Sequence, residues 1–176
     1  PILLLACLEA AGGDWQKGVY AAAAVEILHN FSLVHDDIQD NSETRHNRET
    51  VWRVWGVPMA INVGDAMFTL SYRALEKLEA AGVPAATQLD VFRVYNRTVL
   101  ELTRGQHLDM HFETQAAVTV EAYLSMVRGK TAALLAGTAE MAALLAGQPA
   151  TTAARYAAFG LNMGIAFQVR DDILGI

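Results

Sequence analysis

The chain has 176 residues, 53% of them hydrophobic, and a net charge of −6. That length and apolar content suit one domain with a sizeable core, and the acidic balance excludes a general nucleic-acid binder, which would show a basic face. Cys7 is the only cysteine, which excludes an internal disulfide and a cysteine metal cluster and leaves a small buried apolar residue.

No secretory signal is visible at the start. The longest small-apolar run, Thr131 to Gly147, is interrupted by Glu140 and is shorter than a bilayer span, so no transmembrane segment and a cytoplasmic location are expected. The chain opens in mid-pattern at Pro1-Ile2-Leu3-Leu4-Leu5, without Met, and stops at Ile176 directly after an acidic pair. We therefore expect residues 1–176 to be a single domain lacking native residues at both ends.

Residues 2 to 11 are apolar and end at Gly12-Gly13, a helix stop. Asp14 fits the N-cap of a helix from about Trp15 to Asn41, whose middle, Ala21 to Leu28, is smooth enough for close contact. Residues 42 to 57 lose periodicity and read as an ordered loop. Pro58 suits a helix start, and Met59 to Ala81 reads as a helix, closed by the Gly82 and Pro84 turn. A long helix is expected over Ala85 to Phe112 and another over Val120 to Arg128. Gly129-Lys130-Thr131 interrupts it, and Ala132 to Leu145 resumes. After Gly147-Gln148-Pro149 the last helix runs from about Thr151 to Leu174. No β-hairpin signal and no strand-period alternation stand out. The fold class expected is all-α, a bundle of long antiparallel helices around a central cavity.

Two of these helices end in carboxylates: Asp36-Asp37-Ile38-Gln39-Asp40 and Asp171-Asp172. On a helix of about 100° per residue Asp36 and Asp40 lie about 40° apart, so they share a face and repel. Helix C-termini already carry partial negative charge. One such pair is ordinarily a solvated helix end; two, each after an apolar run, point to an external cation. Oxygen-only ligands suit a hard ion such as Mg²⁺, which takes one or two carboxylates plus substrate phosphates. Two facing clusters could hold a diphosphate between metal ions, with cations drawn from Arg45, Arg48, Arg53, Lys130 and Arg170.

At these residues the chain resembles the trans-isoprenyl diphosphate synthases, the polyprenyl synthetase family of farnesyl and geranylgeranyl diphosphate synthases. Asp36 to Asp40 followed by Arg45 is similar to the first aspartate-rich motif, and Phe167-Gln168-Val169-Arg170-Asp171-Asp172 to the second. Between them Gly64-Asp65, Gly105-Gln106-His107-Leu108-Asp109 and Lys130-Thr131 match further landmarks in order, so the likeness spans the chain. It implies an isoprenoid synthase fold and a homodimer. It also implies Mg²⁺-dependent, head-to-tail condensation of isopentenyl diphosphate with an allylic diphosphate. Asp36, Asp40 and Asp171 would then hold Mg²⁺, with Asp37 counted in the metal set in a supporting role and Asp172 beside Asp171. Those five aspartates and Lys130 would carry the reaction. Arg45, Lys130, Thr131 and Gln168 would hold the allylic diphosphate.

The resemblance also shows departures. His46 stands where the family usually has a second Arg for isopentenyl diphosphate, and would bind it more weakly. Asn47, Glu49 and Gly175 replace a Gly, a Pro and a third Asp. The family's upstream Gly-Gly-Lys-Arg segment and downstream Lys lie outside residues 1–176, so these residues alone are expected to condense poorly. In the family the positions four and five before the first Asp, here Ser32 and Phe31, form the floor of the product cavity. Ideal helix angles place Phe31 about 140° from Asp36, which does not fully agree. With Phe31 present, a product of about fifteen to twenty-five carbons fits, geranylgeranyl length foremost. Competing readings are a class I terpene cyclase, from Asn41-Ser42-Glu43, and a non-catalytic subunit of a prenyl synthase, from His46 and Gly175.

Overall fold

The computed structural model describes residues 1–175. Helix α1 (Ile2–Ala10) stops at Gly12, whose φ of 84° is open to glycine without strain. Asp14 then caps α2 (Trp15–Gln39), its Oδ1 accepting from Gln16 N at 3.0 Å. The small middle of α2 buries Ala21, Ala22 and Ala24. After α2 come α3 (Val51–Trp55), α4 (Val57–Glu76), α5 (Ala85–Phe112), α6 (Val120–Val127), α7 (Ala133–Leu145) and α8 (Ala150–Leu174). Pro58 lies in the first turn of α4, as expected of a residue with no N–H to satisfy there.

The packing is that of an all-α bundle. Helix α2 lies chiefly on α4, α7 on α8 and α5, and α1 touches both α7 and α2. Leu4, Leu8, Leu28, Leu75, Leu78, Val91 and Met141 are fully buried between them, each such burial being worth about 1.5–3 kcal/mol. Tyr95 is the largest fully buried side chain. Its hydroxyl donates to Ser71 Oγ at 2.6 Å, and Ser71 Oγ donates to Phe68 O, so no polar atom is stranded. Burial pushes the Tyr95 phenol well above its ordinary range. No helix among the described residues is long and apolar enough to cross a membrane.

Three local expectations are corrected. Residues 42 to 57, read as an ordered loop with no hairpin signal, contain a small antiparallel hairpin, β1 (Thr44–Arg45) and β2 (Arg48–Glu49), followed by α3. Thr44 faces Glu49 and Arg45 faces Arg48. The turn is made by His46 and Asn47, with φ of 49° and 61°, the pair of left-handed residues a tight hairpin needs. Strands of two residues are too short to show alternation, and His-Asn is a weak substitute for the usual Asn-Gly signal. Second, α4 ends at Glu76 rather than Ala81, and residues 77 to 82 finish in turns on Gly82 at φ 74°. Third, the interruption between α6 and α7 is not a break. Arg128–Ala132 form a π-helical turn, so the axis continues with a widened turn at Lys130.

Candidate active site

The first aspartate cluster is assembled from four segments. Helix α2 ends at Gln39, which leaves Asp36 half-buried and Asp37 buried, 5% exposed. The hairpin brings Arg45 back over that end. Its Nε donates to Asp37 Oδ1 at 2.8 Å, and its Nη2 lies 3.5 Å from Asp36 Oδ2. Trp52 Nε1 and Thr50 Oγ1 both donate to Ser42 O, at 2.9 and 2.8 Å, which pins the segment carrying Arg45.

Helix α5 supplies the other side. Gln106 Nε2 donates to Asp36 Oδ1 at 2.7 Å and to Gln39 Oε1 at 2.8 Å, using both of its hydrogens. One turn on, Asp109 accepts from Lys130 Nζ, which also lies 3.5 Å from Asp36 Oδ1. Burial alone would lower the Lys130 pKa. The Asp109 hydrogen bond and the charges of Asp36, Asp109 and Asp40 outweigh it and hold it above the ordinary value. The lysine is therefore charged throughout the neutral range. Asp40, at the exposed end of the cluster, shifts the other way from a stabilised carboxylate: burial, then the charge of Asp36, raises its pKa. The charge of Lys130 opposes that rise in part, and a further cation near Asp40 would stabilise its carboxylate more.

Lys130 reaches this point because the π-turn crosses α5 without side chains between them. A Cβ on Gly105 would lie 1.9 Å from Lys130 N and 2.3 Å from Gly129 C. The same turn meets α8 at Gly164, where a Cβ would lie 2.5 Å from Ala132 Cα. Across that contact Thr131 Oγ1 donates to Gln168 Oε1 at 2.6 Å, and Gln168 Nε2 donates to Asp172 Oδ1 at 2.9 Å. Tyr123 of α6 donates its hydroxyl to Asp172 Oδ2. The two motifs are thus joined through consecutive residues, Lys130 to the first and Thr131 to the second.

The structure places the remaining expected residues as follows. Asp171 is half-buried on the last turns of α8. Asp37 faces away from Asp36, toward Arg45, as its 100° offset on the helix requires. It holds the arginine rather than standing open to an ion. His46 is exposed at the hairpin tip. Arg53 is a surface partner of Glu43 at 3.9 Å. Ser32 turns its hydroxyl to its own helix, donating to His29 O at 2.7 Å. Phe31 packs against His35 and Phe68, with ring centroids 4.9 and 5.0 Å away. The ladder continues from Phe68 to Tyr72 at 5.3 Å and on to Tyr95 at 5.2 Å, so the space below Phe31 is filled with rings. Gly64 makes room for His35, since a Cβ there would meet His35 Nε2 at 2.1 Å.

Sequence reasoning noted Gln106 and Asp109 only as landmarks and passed over Tyr123 and His35. The first two carried a readable signal, a polar pair three apart and so on one face of a long helix. Nothing in the sequence ties Tyr123 to a residue 49 positions away.

Among the described residues no three Asp, Glu, His or Cys side chains converge tightly enough to hold a metal ion by themselves. The acidic set is instead two carboxylates one turn apart at the end of α2 and a second pair at the end of α8, linked through Lys130, Thr131 and Gln168. That is the donor count expected where phosphate oxygens complete the shell of a hard ion.

Comparison with known proteins agrees with the all-α fold. The polyprenyl synthetase family model matches residues 1–176. The chain is 44% identical to a (2E,6E)-farnesyl diphosphate synthase of Mycobacterium bovis, covering all of this chain and 48% of that protein. It is 40% identical to a geranylgeranyl diphosphate synthase of Saccharolobus solfataricus, covering 100% of this chain and 53% of that protein. It therefore spans about half the length of the curated relatives it matches. Among solved structures, the geranylgeranyl pyrophosphate synthetase from Geoglobus acetivorans superposes with a TM-score of 0.94 at 35% identity, over 99% of this chain and 56% of that one. The enzyme of the same name from Pyrococcus horikoshii gives 0.92 at 40%, over 98% and 52%. With matching order of landmarks, matching fold and a family model that covers its full length, the chain belongs to the polyprenyl synthetase family.

Proposed function

We propose that the whole protein is a prenyltransferase that condenses isopentenyl diphosphate with an allylic diphosphate, head to tail, to give a linear polyprenyl diphosphate. One observation carries this reading: Asp36 is met at once by Arg45, Gln106 and Lys130, the last lying next to the residue that binds the second motif. The names of the relatives, farnesyl and geranylgeranyl diphosphate synthases, support the same activity.

Asp36, Asp40 and Asp171 are the residues that would hold Mg²⁺, which when bound supplies Lewis-acid neutralisation of a leaving diphosphate. The chain's own part is electrostatic and positional. Arg45 and Lys130 rest on Asp36, Asp37 and Asp109 and can turn the same hydrogens to the oxygens of an arriving diphosphate. Thr131 and Gln168 extend that surface with neutral donors. The carbon–oxygen bond of the allylic diphosphate breaks with its electron pair leaving on diphosphate. The double bond of isopentenyl diphosphate attacks the allylic carbon, and loss of a proton restores a double bond. His46, at the hairpin tip, is our reading of the contact to isopentenyl diphosphate. We read the protein as a single isoprenoid synthase domain extended at both ends and as a cytoplasmic homodimer. Exposed Leu70, Leu89 and Leu100 on α4 and α5 support an apolar contact between copies.

The test is to incubate the full-length protein with Mg²⁺, isopentenyl diphosphate and allylic primers of increasing length. A linear diphosphate series is expected; a cyclic hydrocarbon, or no product at all, overturns the reading. Product length rests on Phe31, which blocks growth toward the Phe68–Tyr72 rings. Phe31→Ala is expected to move the main product from geranylgeranyl length to one or more isoprene units longer, read by mass spectrometry. An unchanged product would remove Phe31 from the floor.

A further inference from the structure

The two aspartate clusters are held in opposite ways. At the first, the carboxylates are met by cations, Arg45 and Lys130. At the second, Asp172 is met by two neutral donors: the Tyr123 hydroxyl on Oδ2 and the Gln168 amide on Oδ1. A cation would both place and neutralise that carboxylate. Neutral donors fix its orientation and leave its charge in full. Burial, then the Asp172 hydrogen bond and charge, push the Tyr123 phenol up to about 12, so it remains a donor at any working pH.

Tyr123 is well sited for this. It lies in the first turn of α6, a helix of eight residues capped by Thr119 Oγ1 on Ala122 N at 3.2 Å. From there α6 runs straight into the π-turn that carries Lys130 and Thr131. The chain of bonds Tyr123–Asp172–Gln168–Thr131 therefore closes a loop: α6 grips α8 by side chains at one end and the π-turn grips it at the other. Without the tyrosine, Asp172 keeps one donor and can rotate, and Gln168 loses its fixed acceptor.

We propose that Tyr123 is a positioning residue for the second aspartate pair, locking Asp172 so that Gln168 and Asp171 keep one orientation toward a magnesium-bound diphosphate. This rests on the condensation reading above for the identity of the diphosphate, but its test does not require turnover. Binding of inorganic diphosphate with Mg²⁺ is measured by calorimetry on the full-length protein and on Tyr123→Phe, with thermal midpoints recorded alongside. The expected result is an affinity about tenfold to a hundred-and-fiftyfold weaker, the range of one hydrogen bond to a charged group, at a midpoint close to wild type. In a double-mutant cycle with Asp172→Ala, Tyr123→Phe is expected to add little further loss, because its partner is already gone. Unchanged affinity overturns the proposal, and so does an equal loss in the Asp172→Ala background, which would mean that Tyr123 acts through the fold. If the wild-type protein binds diphosphate but makes no product, the condensation reading fails while the affinities still decide the role of Tyr123.

Discussion

Asp36→Asn in the full-length protein is expected to lower turnover about a hundredfold to a thousandfold and to leave the thermal midpoint within a few degrees of wild type. The two effects separate because Asp36 sits in a balance. Its oxygens receive Gln106 at 2.7 Å, Lys130 at 3.5 Å and Arg45 at 3.5 Å. An amide of the same shape keeps an acceptor for Gln106 but loses the charge that draws the two cations. Both have alternatives, Asp109 for Lys130 and Asp37 for Arg45. Removing the charge also relieves Asp40, whose pKa Asp36 helps to raise. Loss and relief are each about 1 kcal/mol at a partly exposed site, so folding barely changes. On the proposed mechanism chemistry has no such compensation, since Asp40 would already have its own part in holding the metal ion and Asp37 is engaged by Arg45. A large fall in the thermal midpoint, or turnover within tenfold of wild type, would refute this account of the cluster.

The second large effect is one of backbone contact. Gly105→Ala is expected to cost about 3–5 kcal/mol of stability, read from urea unfolding. The added methyl would lie 1.9 Å from Lys130 N, 2.3 Å from Gly129 C and 2.7 Å from Gly129 Cα. All three are main-chain atoms, so no side chain can turn aside; α5 and the π-turn must move apart. Gly64→Ala is the internal control. Its methyl also meets a close neighbour, His35 Nε2 at 2.1 Å, but that neighbour is a ring on a rotatable bond. We expect it to cost clearly less. Equal losses at the two positions would show that the main-chain approach at Gly105 is not the limiting contact.

Much of this arrangement could be read in advance where the physics is local. The span Ala85–Phe112 was legible to the residue, because a long periodic run bounded by Pro84 and a polar stretch leaves few alternatives. The Asp14 cap and the Gly12 stop were legible for the same reason. Asp36 and Asp40 stand out by charge in an unfavourable place and Lys130 as a cation at a helix interruption, and the fold brings Asp36 and Lys130 together. Other features depended on contacts between distant segments. The hairpin of Thr44 to Glu49 is fixed less by strand propensity than by Arg45 reaching Asp37, and by Trp52 and Thr50 closing on Ser42. The resemblance puts Asp37 in the metal set in a supporting role; in the fold its carboxylate accepts from Arg45, a partner the sequence does not point to. Gln106 and Asp109 could be placed on one helix face but not assigned partners. Those partners lie 70 and 21 residues away along the chain.

The widened turn at Arg128–Ala132 has a further consequence for how such a chain tolerates length changes. A π-turn amounts to one extra residue accommodated inside a continuing helix. Deleting a residue there would restore an unbroken α-helix with every hydrogen bond intact, and local helix stability would, if anything, improve. The helices on either side would stay nearly in phase, because the wide turn only absorbs the extra residue, but the residues inside it would turn relative to α5 and α8. The register that lets Lys130 face α5 while Thr131 faces α8 would be lost without any change in composition. The site is thus encoded partly by a count: the number of residues between Tyr123 and Gly137 matters as much as their kinds. Loops at 113–119 or 146–149 can absorb an insertion, whereas this segment has a fixed reading frame.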